Sequence, residues 1–161
     1  MKKQTRLILI CGILLVVFFS LIGSAYMIDR YTIKRIDIEI LDVKISGVTL
    51  EKCTLTFTTN VTNPTDATVH DLSVLFDVYI TNDYIGEGSS DTFTLTGKDT
   101  VNTTVPVTIY YNNLTQAVID LIKDLIAGKS TTLNIKGVAY ATIFFGLFRT
   151  SHAFEAQIIK G

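Results

Sequence analysis

The sequence predicts a mainly β chain: an antiparallel β-sandwich of about seven strands with one inserted α-helix, preceded by a single transmembrane helix. Three observations predict it. Residues 7–28 carry no charged side chain. Period-two alternation of apolar and polar residues dominates the rest of the chain, the mark of strands buried on one face. One later stretch alone switches to helical spacing.

The uncharged run comes first. A bilayer hydrocarbon core is about 30 Å thick and a helix rises about 1.5 Å per residue, so the run is long enough to span. Lys2, Lys3 and Arg6 precede it, and Asp29-Arg30 come directly after it. A secretory signal cleaved after Ala25 is the alternative, since Gly23-Ser24-Ala25 offers small residues where a signal peptidase inspects them. The run exceeds the roughly 7–15-residue core of such signals, which favours an uncleaved anchor. A lipoprotein signal at Cys11 is weaker, because bulky Ile10 precedes it. The expected organisation is a short basic cytoplasmic tail (1–6), a transmembrane signal-anchor helix (7–28) and a sandwich domain (29–161). Basic residues flank the run almost equally, so the positive-inside rule barely decides orientation. A tail this short stays inside more readily than a folded domain fails to export, which places the domain outside the cell membrane. Three N-glycosylation sequons lie beyond the span, at Asn60, Asn102 and Asn113, while Asn63 is excluded by Pro64. With 23 threonines such triplets also arise by chance.

The strands come next, in chain order. Between Ile33 and Val48 the apolar parity changes at Ile40/Leu41, which predicts a bulge or bend. A strand bent there could serve both sheets. Leu55, Phe57, Thr59 and Val61 then share one face, with Thr54, Thr56 and Thr58 on the other. Leu72, Val74, Phe76, Val78 and Ile80 repeat the pattern, and so do Val101, Thr103, Val105, Val107 and Ile109. Leu133, Ile135, Gly137 and Ala139 form a further strand, and Phe154, Ala156 and Ile158 close the chain. Turn-forming clusters at Asn63-Pro64-Thr65-Asp66, Thr81-Asn82-Asp83 and Gly97-Lys98-Asp99 separate the runs. From Leu114 to Ala127 the apolar residues recur at 114, 117, 118, 121, 122, 125 and 126, which is helical spacing. Asn113 is the expected cap, with Gln116 placed to reach back and Gly128 suited to the left-handed stop.

Composition narrows the function. Beyond residue 28 there are 11 basic and 15 acidic residues, a net charge of −4. No basic block occurs, which argues against nucleic acid and against electrostatic adhesion to anionic lipid. With Cys11 in the span, Cys53 has no partner in the domain and reads as a small buried hydrophobe. His70 and His152 are the only histidines, and His70 beside Asp71 reads as a surface pair. Gly86-Glu87-Gly88 matches half of a dinucleotide fingerprint, but it lies between β patterns and reads as a hairpin or bulge pair. Asp77, Asp83, Glu87 and Asp91 fit no calcium loop. No catalytic set, cofactor site or metal site emerges, so the chain reads as a non-enzyme. In the run Ile143-Phe144-Phe145-Gly146-Leu147-Phe148, plugging the end of the sandwich or joining its core is favoured, because large exposed apolar patches are rare. The other reading makes Phe144, Phe145, Leu147 and Phe148 contacts for lipid or a partner.

Asn60-Val61-Thr62-Asn63-Pro64-Thr65 closes a strand, and a second strand ends in Val78-Tyr79-Ile80. Beyond these lie Ile85-Gly86-Glu87-Gly88, Val105-Pro106-Val107, the helix and Ile135-Lys136-Gly137-Val138-Ala139. In that order these resemble the type 2 late embryogenesis abundant proteins, also called the water stress and hypersensitive response (WHy) domain, over roughly residues 32–160. The resemblance makes Asn63, Pro64, Gly86, Gly88, Pro106 and Gly137 structural motif positions. It implies a fibronectin/immunoglobulin-like sandwich, no catalysis, and a part in desiccation or water-stress tolerance. Unlike hydrophilic disordered proteins under the same name, this chain is 48% apolar and is expected to fold. Expected partners are the membrane through the single span, and lipid or another envelope protein. Two further readings stand: a lipid or apolar-ligand module with a groove near the helix and Phe144–Phe148, and a cell-surface interaction domain. A minimal domain with scarce cysteine and abundant threonine fits an archaeal or bacterial source.

Overall fold

Two α-helices and eight strands organise the chain in a computed structural model, which describes residues 2–143 and 146–160, with backbone alone for 2–9. Helix α1 (Lys2–Ile33) leads through a tight turn into β1 (Asp37–Ser46) and β2 (Lys52–Thr62). Next come β3 (Val69–Ile80), β4 (Asp83–Ser89), β5 (Phe93–Leu95) and β6 (Thr100–Tyr110). A 3-10 turn (Tyr111–Asn113) and helix α2 (Gln116–Ile126) precede the final hairpin, β7 (Thr131–Ile143) and β8 (Phe148–Lys160). All pairings are antiparallel, in the order β1-β2-β6-β4-β3-β7-β8, with β5 beside β3.

The sandwich is therefore one curled sheet whose halves face each other. Phe57 of β2 and Phe76 of β3 meet edge to face across the core, centroids 5.2 Å apart. Alternation does what period two predicts: Cys53, Leu55, Phe57, Thr59 and Val61 are buried along β2. The curl passes through β4, which joins β6 by a single bridge, Gly88 opposite Val107. A Cβ on Gly88 would lie 2.7 Å from Val107 and 2.8 Å from the Pro106 carbonyl oxygen. One on Gly86 would lie 2.9 Å from Val107. Side-chain-free residues thus let β4 cross closely over β6, and the β4 bulge sits between Gly86 and Tyr84. Pro106 adjoins the bridge, where β6 has no continuous ladder on the β4 side.

The parity change in β1 is a bulge between Ile40 and Asp42, with Leu41 exposed as the extra residue. It keeps Ile38 and Val43 on the same inner face, and among the described residues the backbone ladder of β1 is with β2. The two outer strands close on each other, since Lys160 of β8 pairs with Asp42 of β1 at 2.8 Å. A charged pair on facing edges discourages edge-to-edge pairing with other chains.

Helix α2 starts later than its spacing predicts. Thr115, not Asn113, is the cap, and its hydroxyl accepts from the Val118 amide at 3.4 Å. Gln116 bonds Asp120 rather than reaching back. The stop takes the expected left-handed form: Gly128 has φ +76°, with Lys129 N–H on the Asp124 carbonyl and Gly128 N–H on that of Leu125. Val118, Ile122 and Leu125 bury the inner stripe.

Candidate functional site

The site lies where α1 enters the domain. The helix does not break at Asp29-Arg30 but continues to Ile33, which is 1% exposed and part of the core. Arg35 N–H then bonds the Thr32 carbonyl, and Ile36 N–H that of Ile33, turning the chain into β1. The apolar stretch Ile10–Ile33 is long and hydrophobic enough to cross a membrane, so its last turn is shared with the domain floor. No flexible linker separates them.

A polar knot supports this junction. Asn63 is fully buried, and its Nδ2 donates to the carbonyls of Ala67 (2.7 Å) and Thr96 (3.1 Å). Its Oδ1 accepts from the Thr65 amide (3.0 Å) and hydroxyl (2.8 Å). Thr65 in turn reaches the buried Thr32 hydroxyl of α1 at 3.5 Å, and Thr32 donates to the Ile28 carbonyl at 2.9 Å. A buried amide with both ends satisfied holds the Asn63-Pro64 loop, the β5–β6 turn and the helix end together.

Three clefts surround the helix end. One of about 520 Å³ is lined by Ala25, Asp29, His70, Asp71 and Gly146 among others. Asp71 sits at a β3 bulge with φ +50° and accepts from the Thr142 hydroxyl at 2.7 Å. A second, of about 1030 Å³, is an open apolar groove between Met27, Ile28 and Tyr31 on the helix and Thr65-Asp66-Ala67. The third, about 340 Å³, is lined by Tyr26, Arg30, Lys34, Phe148, Arg149 and Ser151.

The aromatic run ends at the same junction. Phe144 and Phe145 lie outside the described residues. Leu147 is 70% exposed and Phe148 54%, so neither plugs the sandwich or joins its core, as the sequence favoured. Only Ile143 of the described members is buried. The reason is geometric: β7 and β8 stay paired as far as Ile143 opposite Phe148, which leaves Phe148 at the end of the sheet rather than between its halves. There the Phe148 ring meets Tyr26 of α1 edge to face, centroids 6.1 Å apart.

The remaining motif positions sit elsewhere. Gly137 is opposite Phe154 on β8 and Phe76 on β3, and any Cβ there would collide with the Phe154 ring. Of the sequons, Asn102 and Asn113 are exposed. Asn60 is half-buried near the end of β2, its Oδ1 enclosed without a partner. Cys53 is buried beneath the sheet and shares a hydrogen bond with Tyr111. Burial pushes its thiol up, away from reactivity. Burial, then the bond with Cys53, raises the Tyr111 phenol to about 12. Among the described residues, no group of three metal-ligating side chains converges.

Comparison with known proteins agrees with this architecture. A solution structure of a late embryogenesis abundant (LEA) protein superposes with TM-score 0.56 at 19% identity, over 90% of this chain and 83% of that one. A solution structure of an Arabidopsis thaliana protein gives 0.54 at 18% identity, over 76% and 78%. At these identities the likeness is one of fold. No curated protein sequence matches significantly. The family model for late embryogenesis abundant protein, type 2, matches residues 58–153, from mid-β2 through α2 into β8, and the chain belongs to that family.

Proposed function

We propose that this chain is a non-catalytic LEA type 2 domain, held at the outer face of the cell membrane by an uncleaved span, that protects the cell surface during water stress. The observation carrying this reading is the continuity of α1. Its apolar length runs without a linker into the domain core at Thr32 and Ile33. A domain joined in that way stands directly on the bilayer. The family is typically non-enzymatic, which supports a physical rather than a chemical role.

Three measurements test it. Mass spectrometry of the chain recovered from membranes after alkaline washing is expected to find it intact; a released chain beginning at Tyr26 would refute anchoring. Protease added to intact cells is expected to trim the domain, and deletion of the gene to lower survival after drying or osmotic shock. Unchanged survival would refute the protective role.

The open groove beside Met27, Ile28 and Tyr31 favours a second reading, an apolar-ligand module. Native mass spectrometry of the full chain released from detergent would show a retained lipid if that reading holds.

A further inference from the structure

On the anchoring reading above, the start of β8 supplies a second membrane contact. We infer that Leu147 and Phe148 sit among the lipid chains beside the span, while Arg30, Lys34 and Arg149 hold a phospholipid phosphate just above them. The depth is set by α1 itself. Phe148 packs on Tyr26, which lies inside the uncharged run 7–28 and seven residues before Ile33. At about 1.5 Å per residue Phe148 therefore lies roughly 10 Å below the helix end. Phe148 and its exposed neighbour Leu147 thus lie at the depth of Tyr26, which is itself half-buried against the domain core. In a spanning helix, the last turn of the apolar run meets the boundary between acyl chains and headgroups, where aromatic side chains concentrate.

The charges are arranged to match. Arg30 lies in the last turn of α1, Lys34 directly follows the helix end and Arg149 comes from the start of β8, so three cations line one cleft with Tyr26 and Phe148. Ser151 and Thr150 add hydroxyls to the same cleft. Asp29 and Asp71 line the separate cleft. Arg149 lies 4.7 Å from the Tyr140 ring, a cation–π contact that orients its guanidinium without neutralising it. An apolar ledge with cations one turn above it fits a phospholipid, whose phosphate lies at that height over its acyl chains.

The chain contains no tryptophan, so a single introduced one reports depth unambiguously. The full-length protein would be reconstituted into phosphatidylcholine–phosphatidylglycerol vesicles with brominated acyl chains. Leu21→Trp in the span, Leu147→Trp in the turn and Leu50→Trp at the far end of the sheet would be compared. All three positions are exposed, so folding is expected to survive, checked by the β signal in circular dichroism. Bromine should quench the Leu21→Trp and Leu147→Trp probes several-fold more than the Leu50→Trp probe. An unquenched Leu21→Trp probe would overturn anchoring itself. A quenched Leu21→Trp probe beside a Leu147→Trp probe no different from Leu50→Trp would overturn the inference alone. Adding Lys34→Glu and Arg149→Glu should at least halve quenching at position 147 while leaving position 21 unchanged. Unchanged quenching at 147 would overturn the phosphate contact.

Discussion

Gly88 and Gly137 both stand where neighbouring groups approach closely, and their surroundings make different demands. Gly137 leaves room for the Phe154 ring, which lies over it beside Phe76. Alanine there overpacks a flexible partner. Gly137→Ala is expected to cost about 2 kcal/mol in urea unfolding of the full chain in detergent, and Phe154→Leu to recover much of it. Gly88 faces Val105, Val107 and the Pro106 carbonyl oxygen, the last being backbone that cannot rotate away. Gly88→Ala is expected to cost more than Gly137→Ala, with no single side-chain truncation restoring it. Equal costs for the two would show that β4 can shift away from β6. Neither requirement is visible along the chain, where both glycines look like ordinary strand interruptions. Asn63 is similar: the sequence marks an Asn-Pro turn, but only the fold brings Ala67, Thr96 and Thr65 to its amide.

At the scale of elements, the helix start separates what pattern can and cannot locate. Asn113 and Thr115 are both good caps, and Leu114 fits the apolar stripe, so spacing alone favours the earlier start. Tyr111 breaks the tie. Its amide bonds the Glu51 carbonyl at 2.9 Å and its side chain bonds Cys53, which commits residues 111–113 to a 3-10 turn. Thr115→Ala is expected to lower stability by about 1 kcal/mol. Asn113→Ala should stay within about 0.5 kcal/mol of the parent. Thermal melting of both variants checks this, and the reverse order would return the cap to Asn113. The β1 bulge, by contrast, was legible at Ile40/Leu41, because a sheet with one buried face cannot accept a parity change without an extra residue.

For the molecule as a whole, closure of the curl depends on two outer strands that are far apart in sequence. The Lys160 hydrogen bond, then that of the Val43 amide and the charges of Lys160 and Lys44, hold the Asp42 carboxyl below its ordinary value of 3.8. A carboxyl lowered on folding adds stability that is fully present above its unfolded value. That stability is lost as pH falls through the folded value. Amide exchange of β1 and β8, corrected for intrinsic rates, should therefore be flat from neutral pH to about 5 and rise only below 3.8. Asp42→Asn should remove that acid step; a step that persists would assign it to other carboxylates. The same long-range closure gathers Arg149 with Arg30 and Lys34. Along the chain these three read as scattered charges in a domain of net −4.

The sequence by itself determined the apolar helix, six of the eight strands, the bulge, the inserted helix and the family, because each is written in local periodicity or in motif order; β4 and β5 carry no such alternation. Tertiary structure alone decided that α1 continues into the core, that Leu147 and Phe148 lie beside Tyr26 rather than inside the sandwich, and that three cations share one cleft. The physical reason is distance along the chain. Alternation states which face of a strand is apolar, whereas the neighbours of a side chain depend on which strands the curl brings together.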